Sequence, residues 1–332
     1  MRRFILYFIA FLFICFCIIE VFLMPLASTF EQSAYKSKTM APYCRINFVT
    51  ECKDVNADLI IIGNSRAEGS YNDALLSEQT GLKCINLGMA GFPFNFQYHI
   101  MYKTYVRQNS IPKYVLVEVG PFSFFDYSTP PYTIEMLPYI DRPEFKFYFE
   151  TCPELSYLDH YRIVRYAGKY EEMVLEIQKL KDSLTTNSVQ TFLANDTLSN
   201  IAMPTNEGYE KNYLKKKRFD LEKDPNIINL FNSFLDECEK QGTQVVLVCS
   251  PIHTTDGASH FDMQGFWNLM AEIAGKHKVK VLNYENLFGN DIKYFSNSMH
   301  LNIYGINCFT RKIAHDLDSM VFRLPTTSQA CR

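Results

Sequence analysis

The chain has 332 residues, 47% of them hydrophobic, 15% aromatic and 21% charged, which excludes intrinsic disorder, collagen-like repetition and a small disulfide scaffold. With 33 Lys plus Arg against 36 Asp plus Glu, the formal charge of −3 gives no global attraction for nucleic acid and little for anionic lipid. Partners must be sought in local features.

After Arg2 and Arg3, the run from Phe4 to Met24 holds a single ionisable residue, Glu20. That is about the 20 residues needed to cross the hydrocarbon as a helix, and the preceding arginines favour a cytoplasmic N-terminus. A cleavable signal peptide is the alternative. Its apolar region should end in small residues, whereas Phe22, Leu23 and Met24 stand at the exit here, which favours an uncleaved anchor. Residues 1–27 are therefore read as a single-pass membrane anchor, 28–57 as an extracytoplasmic linker, and the remainder as lying outside the cytoplasm.

An extracytoplasmic compartment permits disulfides. Cys44 and Cys52 enclose a short loop and are candidates for pairing, while Cys84, Cys249 and Cys308 fall in strand or helix patterns that suit buried thiols. There is no Cys-x-x-Cys, and the 7 histidines are scattered, so no metal site is expected.

From residue 58 apolar strands alternate with helical patterns. Leu59 to Ile62, Lys83 to Leu87, Tyr114 to Val119, Gln244 to Cys249 and Val279 to Asn283 are the five expected strands, and continuous β-branched runs of this kind indicate a parallel sheet covered on both faces. A helix opening at Asp224-Pro225 places Ile227, Ile228, Phe231, Phe234, Leu235 and Cys238 on one face. The fold class predicted is α/β, a doubly wound, flavodoxin-like parallel sheet of about five strands formed by 58–125 and 225–323. Residues 126–224, rich in Tyr, Phe and charge, read as a helical and irregular insertion, with helical patterns such as Tyr161 to Asp182. It is expected to act as a lid or wall over the strands' carboxyl ends. The run Lys215-Lys216-Lys217-Arg218 within it is a solvated surface or an attractor of acidic polymer.

Candidate chemistry lies where strands end. Ser65 follows the first strand in Gly63-Asn64-Ser65-Arg66 and opens a helix, a position that suits a nucleophile because helix-end N–H groups stabilise developing negative charge. Ser and Asn there are also ordinary capping residues. The second strand leads into Asn86-Leu87-Gly88-Met89-Ala90-Gly91, and Ser296-Asn297-Ser298-Met299-His300 precedes the last helix. Arg66 is a candidate either for a forked contact to an anionic group or for a structural ion pair. His253, after the fourth strand, is a candidate for substrate contact or for a structural hydrogen bond. The first turn lacks the Gly-x-Gly-x-x-Gly spacing, so neither a nucleotide nor any other cofactor is expected.

These blocks resemble the SGNH or GDSL-type hydrolases. Gly63-Asn64-Ser65 is similar to that family's Gly-Asp-Ser, Asn86 with Gly91 to its second block, Leu116 to Gly120 to its third strand, and Asn297-Ser298-Met299-His300 to its Asp-x-x-His. The resemblance implies Ser65 as nucleophile, His300 as general base and Asn297 in the place of the acid. It also implies Gly91 as an oxyanion donor, with Asn64, Arg66 or Asn95 able to substitute for the family's oxyanion Asn, whose place Phe122 takes. A branch resembling the D-alanyl transfer protein of teichoic acids and the acetyltransferase-like proteins of exopolysaccharide systems shares the single anchor. Like Gly120-Pro121-Phe122-Ser123-Phe124, it carries a proline and aromatics after the third strand. It implies an extracytoplasmic esterase or acyltransferase acting on an acylated glycan through a Ser–His acyl-enzyme. The implied partners are an acyl donor and polysaccharide-biosynthesis membrane proteins. The alternative is a catalytically impaired glycan-binding or scaffold protein.

Overall fold

A computed structural model describes residues 2–38, 40–124, 133–146, 148, 161–185, 224–254, 261–317 and 319. The chain divides into two compact units, Met1–Phe48 with Ser128–Thr191, and Val49–Tyr127 with Phe192–Arg332.

The second unit is an α/β fold built on five parallel strands: β1 (Leu59–Ile62), β2 (Cys84–Asn86), β3 (Tyr114–Glu118), β4 (Gln244–Cys249) and β5 (Lys280–Asn283), in the order β2-β1-β3-β4-β5. The strand ends fall within a residue of those expected from the sequence. All four residues of β1 are buried, which is why its run is continuously apolar instead of alternating. Leu59, Ile61, Leu116, Val246 and Leu282 turn to one face, where they meet Tyr71, Leu76, Ile306, Phe309 and Ile313. The other face is covered by the helical stretch Phe94–Gln108 and by helix Pro225–Gln241. In the latter, Asp224 caps, Pro225 opens, and Gly242 at φ 75° closes, while Ile227, Phe231, Phe234, Leu235 and Cys238 are buried and Ile228 is half-buried.

The chain runs from β1 outward to β2 and then crosses back to β3 on the other side of β1. Strand order therefore reverses at β1, and the crevice beyond its carboxyl end is where an open α/β sheet offers a binding site. Ser65 lies three residues past the end of β1.

The first unit is helical. Arg2–Ile18, a π-type turn Ile19–Leu23 and Met24–Lys36 follow one another as one apolar helix long enough to cross a membrane. Pro25 does not end it. The wider π turn immediately before absorbs the missing proline N–H at the start of the next segment. The stretch 28–57 contains the helix to Lys36 and a further helix, Tyr43–Glu51. The helical pattern over Tyr161 to Asp182 forms two helices, Arg162–Tyr166 and Tyr170–Thr185, separated where Gly168 takes φ 75°. These described parts of the insertion pack on Met24–Lys36, through Arg162 Nη2 to Glu31 at 2.7 Å and the Tyr166 hydroxyl to Glu31 at 2.9 Å. The basic run 215–218 lies outside the described residues.

Cys44 and Cys52, the candidates for pairing, form no disulfide. Cys44 stands in the first turn of helix Tyr43–Glu51 and Cys52 follows its last residue, so eight steps at about 1.5 Å hold them roughly 12 Å apart, beyond the reach of a disulfide. Cys84 and Cys249 are buried in strands and Cys308 is half-buried in the last helix.

Candidate active site

The turn after β1 is built on Gly63, whose φ is 145°. A Cβ there would lie 2.8 Å from Glu118 Cβ and 2.9 Å from Ala67 Cβ, so only glycine lets the chain turn this sharply. Asn64 then caps helix Ser65–Ser70, its Oδ1 accepting the Arg66 N–H at 3.1 Å. Ser65 is the first helical residue, half-buried. Its own N–H is one of those that a helix leaves unpaired at its start.

The loop after β2 is fastened to this helix. Met89 N–H donates to the Gly63 carbonyl at 2.8 Å, Asn86 Nδ2 to the Ala67 carbonyl at 2.8 Å, and Ala90 N–H to Glu68 at 2.6 Å. A Cβ on Gly88 would meet Ala67 Cβ at 2.5 Å, so this glycine permits the contact. Gly91, at φ 77°, follows Ala90, which is fastened to the helix that Ser65 opens. Among the described residues neither the Ser65 nor the Gly91 N–H has a hydrogen-bond partner.

His300 comes from the loop before the last helix. An antiparallel bridge, Phe295 to Leu301, pinches the loop, Ser296 N–H donates to the His300 carbonyl at 2.9 Å, and Asn302 Nδ2 donates to the Lys293 carbonyl at 2.7 Å. Asn302 Oδ1 also accepts the Gly305 N–H at 2.9 Å, and a Cβ on Gly305 would sit 2.1 Å from the Tyr294 carbonyl oxygen. Asn302 and Gly305 thus tie the loop to helix Ile303–Leu317.

From this loop His300 Nε2 reaches Ser65 Oγ at 2.9 Å, and His300 Nδ1 lies 3.0 Å from Asn297 Oδ1. Asn297 Oδ1 also accepts the backbone N–H groups of Met299 at 2.9 Å and His300 at 3.0 Å. Those two donors identify the Asn297 atom facing the ring as the oxygen. Nδ1 must then carry the ring proton, and Nε2 offers its lone pair to the Ser65 hydroxyl. Asn297 and His300 are buried.

Burial, with the Arg66 cation nearby, pushes the His300 imidazole down to about 4. The ring is therefore neutral at physiological pH and able to accept a proton, and at Nδ1 it faces the Asn297 amide in place of the acid of a hydrolytic triad. Asn297→Asp is expected to raise kcat/KM for p-nitrophenyl acetate at least about tenfold, since an aspartate in this place is worth up to about 10⁴ elsewhere. A carboxylate raises the imidazole pKa, so the acid limb of the pH–rate profile, near 4 in the wild type, should move to higher pH in the variant. Parallel pH–rate curves check both points.

Arg66 is buried in an ion pair. Its Nη2 lies 3.3 Å from Glu118 Oε1 and 3.0 Å from Ser250 Oγ, and it also bonds the Ser250 carbonyl. Glu118 Oε1 accepts the Ser250 hydroxyl at 2.7 Å and its N–H at 3.1 Å, while Oε2 accepts the Tyr71 hydroxyl at 2.6 Å. Burial pushes the Glu118 carboxyl up, against the pull of Arg66, Tyr71 and Ser250. Of the two roles weighed for Arg66, the geometry shows the ion pair. Glu118, Tyr71 and Ser250 were not singled out in the sequence; a lone acid within a buried strand run is the signal that would have found them.

Asn95 Oδ1 accepts the N–H of its neighbour Phe96 at 2.7 Å, and Asn64 is occupied as a cap. His253 is buried with its N–H on the Ser298 carbonyl at 3.2 Å and its ring edge-on to Phe295, which places it against the His300 loop. Phe122 packs edge-on to Phe261 at 4.6 Å in a small apolar cluster with Ile252, Met263 and Met299. Among the described residues no cluster of side chains could hold a metal ion.

No family model and no curated protein matches the chain. Solved structures similar to it include a protein described as lipolytic, of the G-D-S-L family, from Desulfitobacterium hafniense (TM-score 0.38, 9% identity, covering 77% of this chain and 97% of that one). Another is described as an acylhydrolase, from Bacteroides fragilis (TM-score 0.37, 11% identity, 83% and 96%), and a third is the acetyl xylan esterase AlAXEase (TM-score 0.38, 12% identity, 80% and 100%).

Proposed function

We propose that this protein is an SGNH-type esterase or acyltransferase, held by its N-terminal helix in the cell membrane and acting outside the cytoplasm on an acylated glycan of the envelope or of an exopolysaccharide. The observation that carries the chemistry is the hydrogen-bonded run Ser65–His300–Asn297 beyond the carboxyl end of β1. In this reading Ser65 Oγ attacks the ester carbonyl while His300 Nε2 takes its proton. The N–H groups of Ser65 and Gly91 receive the oxyanion. The intermediate collapses as His300 returns the proton to the departing glycan oxygen, leaving the acyl group on Ser65. Water or a second glycan hydroxyl, deprotonated by His300, then completes hydrolysis or transfer.

The glycan substrate is supported by the run Gly120-Pro121-Phe122-Ser123-Phe124 and the apolar N-terminal helix, the two features shared with envelope-modifying relatives of the fold. One observation favours the second reading, a catalytically impaired glycan-binding or scaffold protein: an amide, Asn297, and not an acid faces Nδ1 of the buried His300 ring. Acetate release from an acetylated polysaccharide by the full chain in detergent, wild type beside Ser65→Ala, separates the two. Release that needs Ser65 supports the enzyme. Binding of the polysaccharide that is equal in both, without release, supports the scaffold, and turnover of p-nitrophenyl acetate alone indicates a small-ester carboxylesterase.

A further inference from the structure

The short helix Arg162–Tyr166 touches the segment Ile19–Leu23 of the long N-terminal helix. Counted from Phe4, that segment ends the first twenty residues, about 30 Å of helix, the thickness of the hydrocarbon. The side chains of the short helix divide cleanly. Arg162 reaches along the long helix to Ser28 Oγ at 2.8 Å and to Glu31. Arg165 is buried beside Glu31 and Asp141, and Tyr166 is buried edge-on to Phe30. The opposite side carries Tyr161, Ile163 and Val164, exposed at 56%, 36% and 42%. Along the long helix itself, Ile18, Val21 and Phe22 at the same level are more than half exposed. The exposed side of the short helix is apolar while its arginines reach to Glu31 and Asp141, and at the same level the long helix exposes Glu20 among its apolar residues. Apolar side chains beside a carboxylate that can reach the headgroups suit the boundary between headgroups and acyl chains, where a tyrosine is also at home.

We propose that Tyr161, Ile163 and Val164 insert into the interface of the bilayer that the N-terminal helix crosses, so that the helical unit rests on the membrane through a second contact beside its anchor. The continuity of this face with the exposed apolar surface of the anchor argues for lipid as its occupant. The inference rests on the anchor reading, and the test separates the two. The full chain, with Val164→Trp or, in a second variant, Ile163→Trp, is reconstituted in pure phosphatidylcholine vesicles whose acyl chains are brominated near the headgroup. Val21→Trp reports the anchor, and the wild type, whose one tryptophan is Trp267, supplies the baseline. The expected result is quenching at positions 163 and 164 above the baseline, together with quenching at 21. Quenching at 21 alone overturns the proposal and makes this side a surface for a protein partner. Quenching at none of the three removes the anchor and the proposal together.

Discussion

Ser65→Ala, His300→Ala and the double variant are each expected to lower kcat for p-nitrophenyl acetate by about the same factor, at least about 10³. Equality is the informative part. Groups that act as one unit lose nearly everything when either is removed, and removing the second costs little more. Here the unit is a single hydrogen bond of 2.9 Å from Ser65 Oγ to a ring whose tautomer is held by Asn297. If Ser65 and His300 were merely neighbours, His300→Ala would leave most of the rate. Initial rates for the three variants, each first checked for folding by circular dichroism, decide between these outcomes.

The second large effect is on stability. Glu118→Ala is expected to destabilise the α/β unit by about 3–5 kcal/mol, because it strands the buried Arg66 guanidinium without its counter-charge. It also removes the acceptor of three hydrogen bonds, from Tyr71 and twice from Ser250. For a unit of this size the midpoint of thermal unfolding should fall by roughly 10 °C. Replacing both partners, Arg66→Met with Glu118→Leu, should restore most of that, since the penalty comes from the unpaired charge and not from the absence of the pair. Arg66 and Glu118 tie the start of helix Ser65–Ser70 to the ends of β3 and β4, so Glu118→Ala should also reduce any turnover that depends on Ser65 at temperatures where the protein remains folded.

Much of the fold was legible because a buried parallel sheet writes itself as uninterrupted β-branched runs, and each of the five runs became a strand. Helix Pro225–Gln241 was equally plain, with its cap, its proline, its closing glycine and one apolar side. Ser65 and His300 could be singled out because Ser65 follows the first strand, His300 precedes the last helix, and the blocks around them resemble those of the SGNH hydrolases. What stayed hidden depends on distance in sequence or on local backbone state. The first helix continues through Pro25 by way of a π turn, which composition does not announce. The Cys44–Cys52 pair looked like a loop closure and is instead spread along a helix. Arg66 was equally a ligand contact or an ion pair until Glu118, more than fifty residues away, was found beside it. The orientation of the Asn297 amide follows from two backbone donors that no side-chain pattern shows.

A Ser65 activated as a nucleophile by His300 should react with a serine-directed electrophile. A fluorophosphonate serine probe, added to the full chain in detergent and followed by intact mass and peptide mapping, tests it most directly. One adduct is expected, on Ser65, absent from Ser65→Ala and from His300→Ala, and formed faster in Asn297→Asp. A wild-type protein that stays unlabelled while its fold is intact, or a label on Ser65 that survives His300→Ala undiminished, would contradict it.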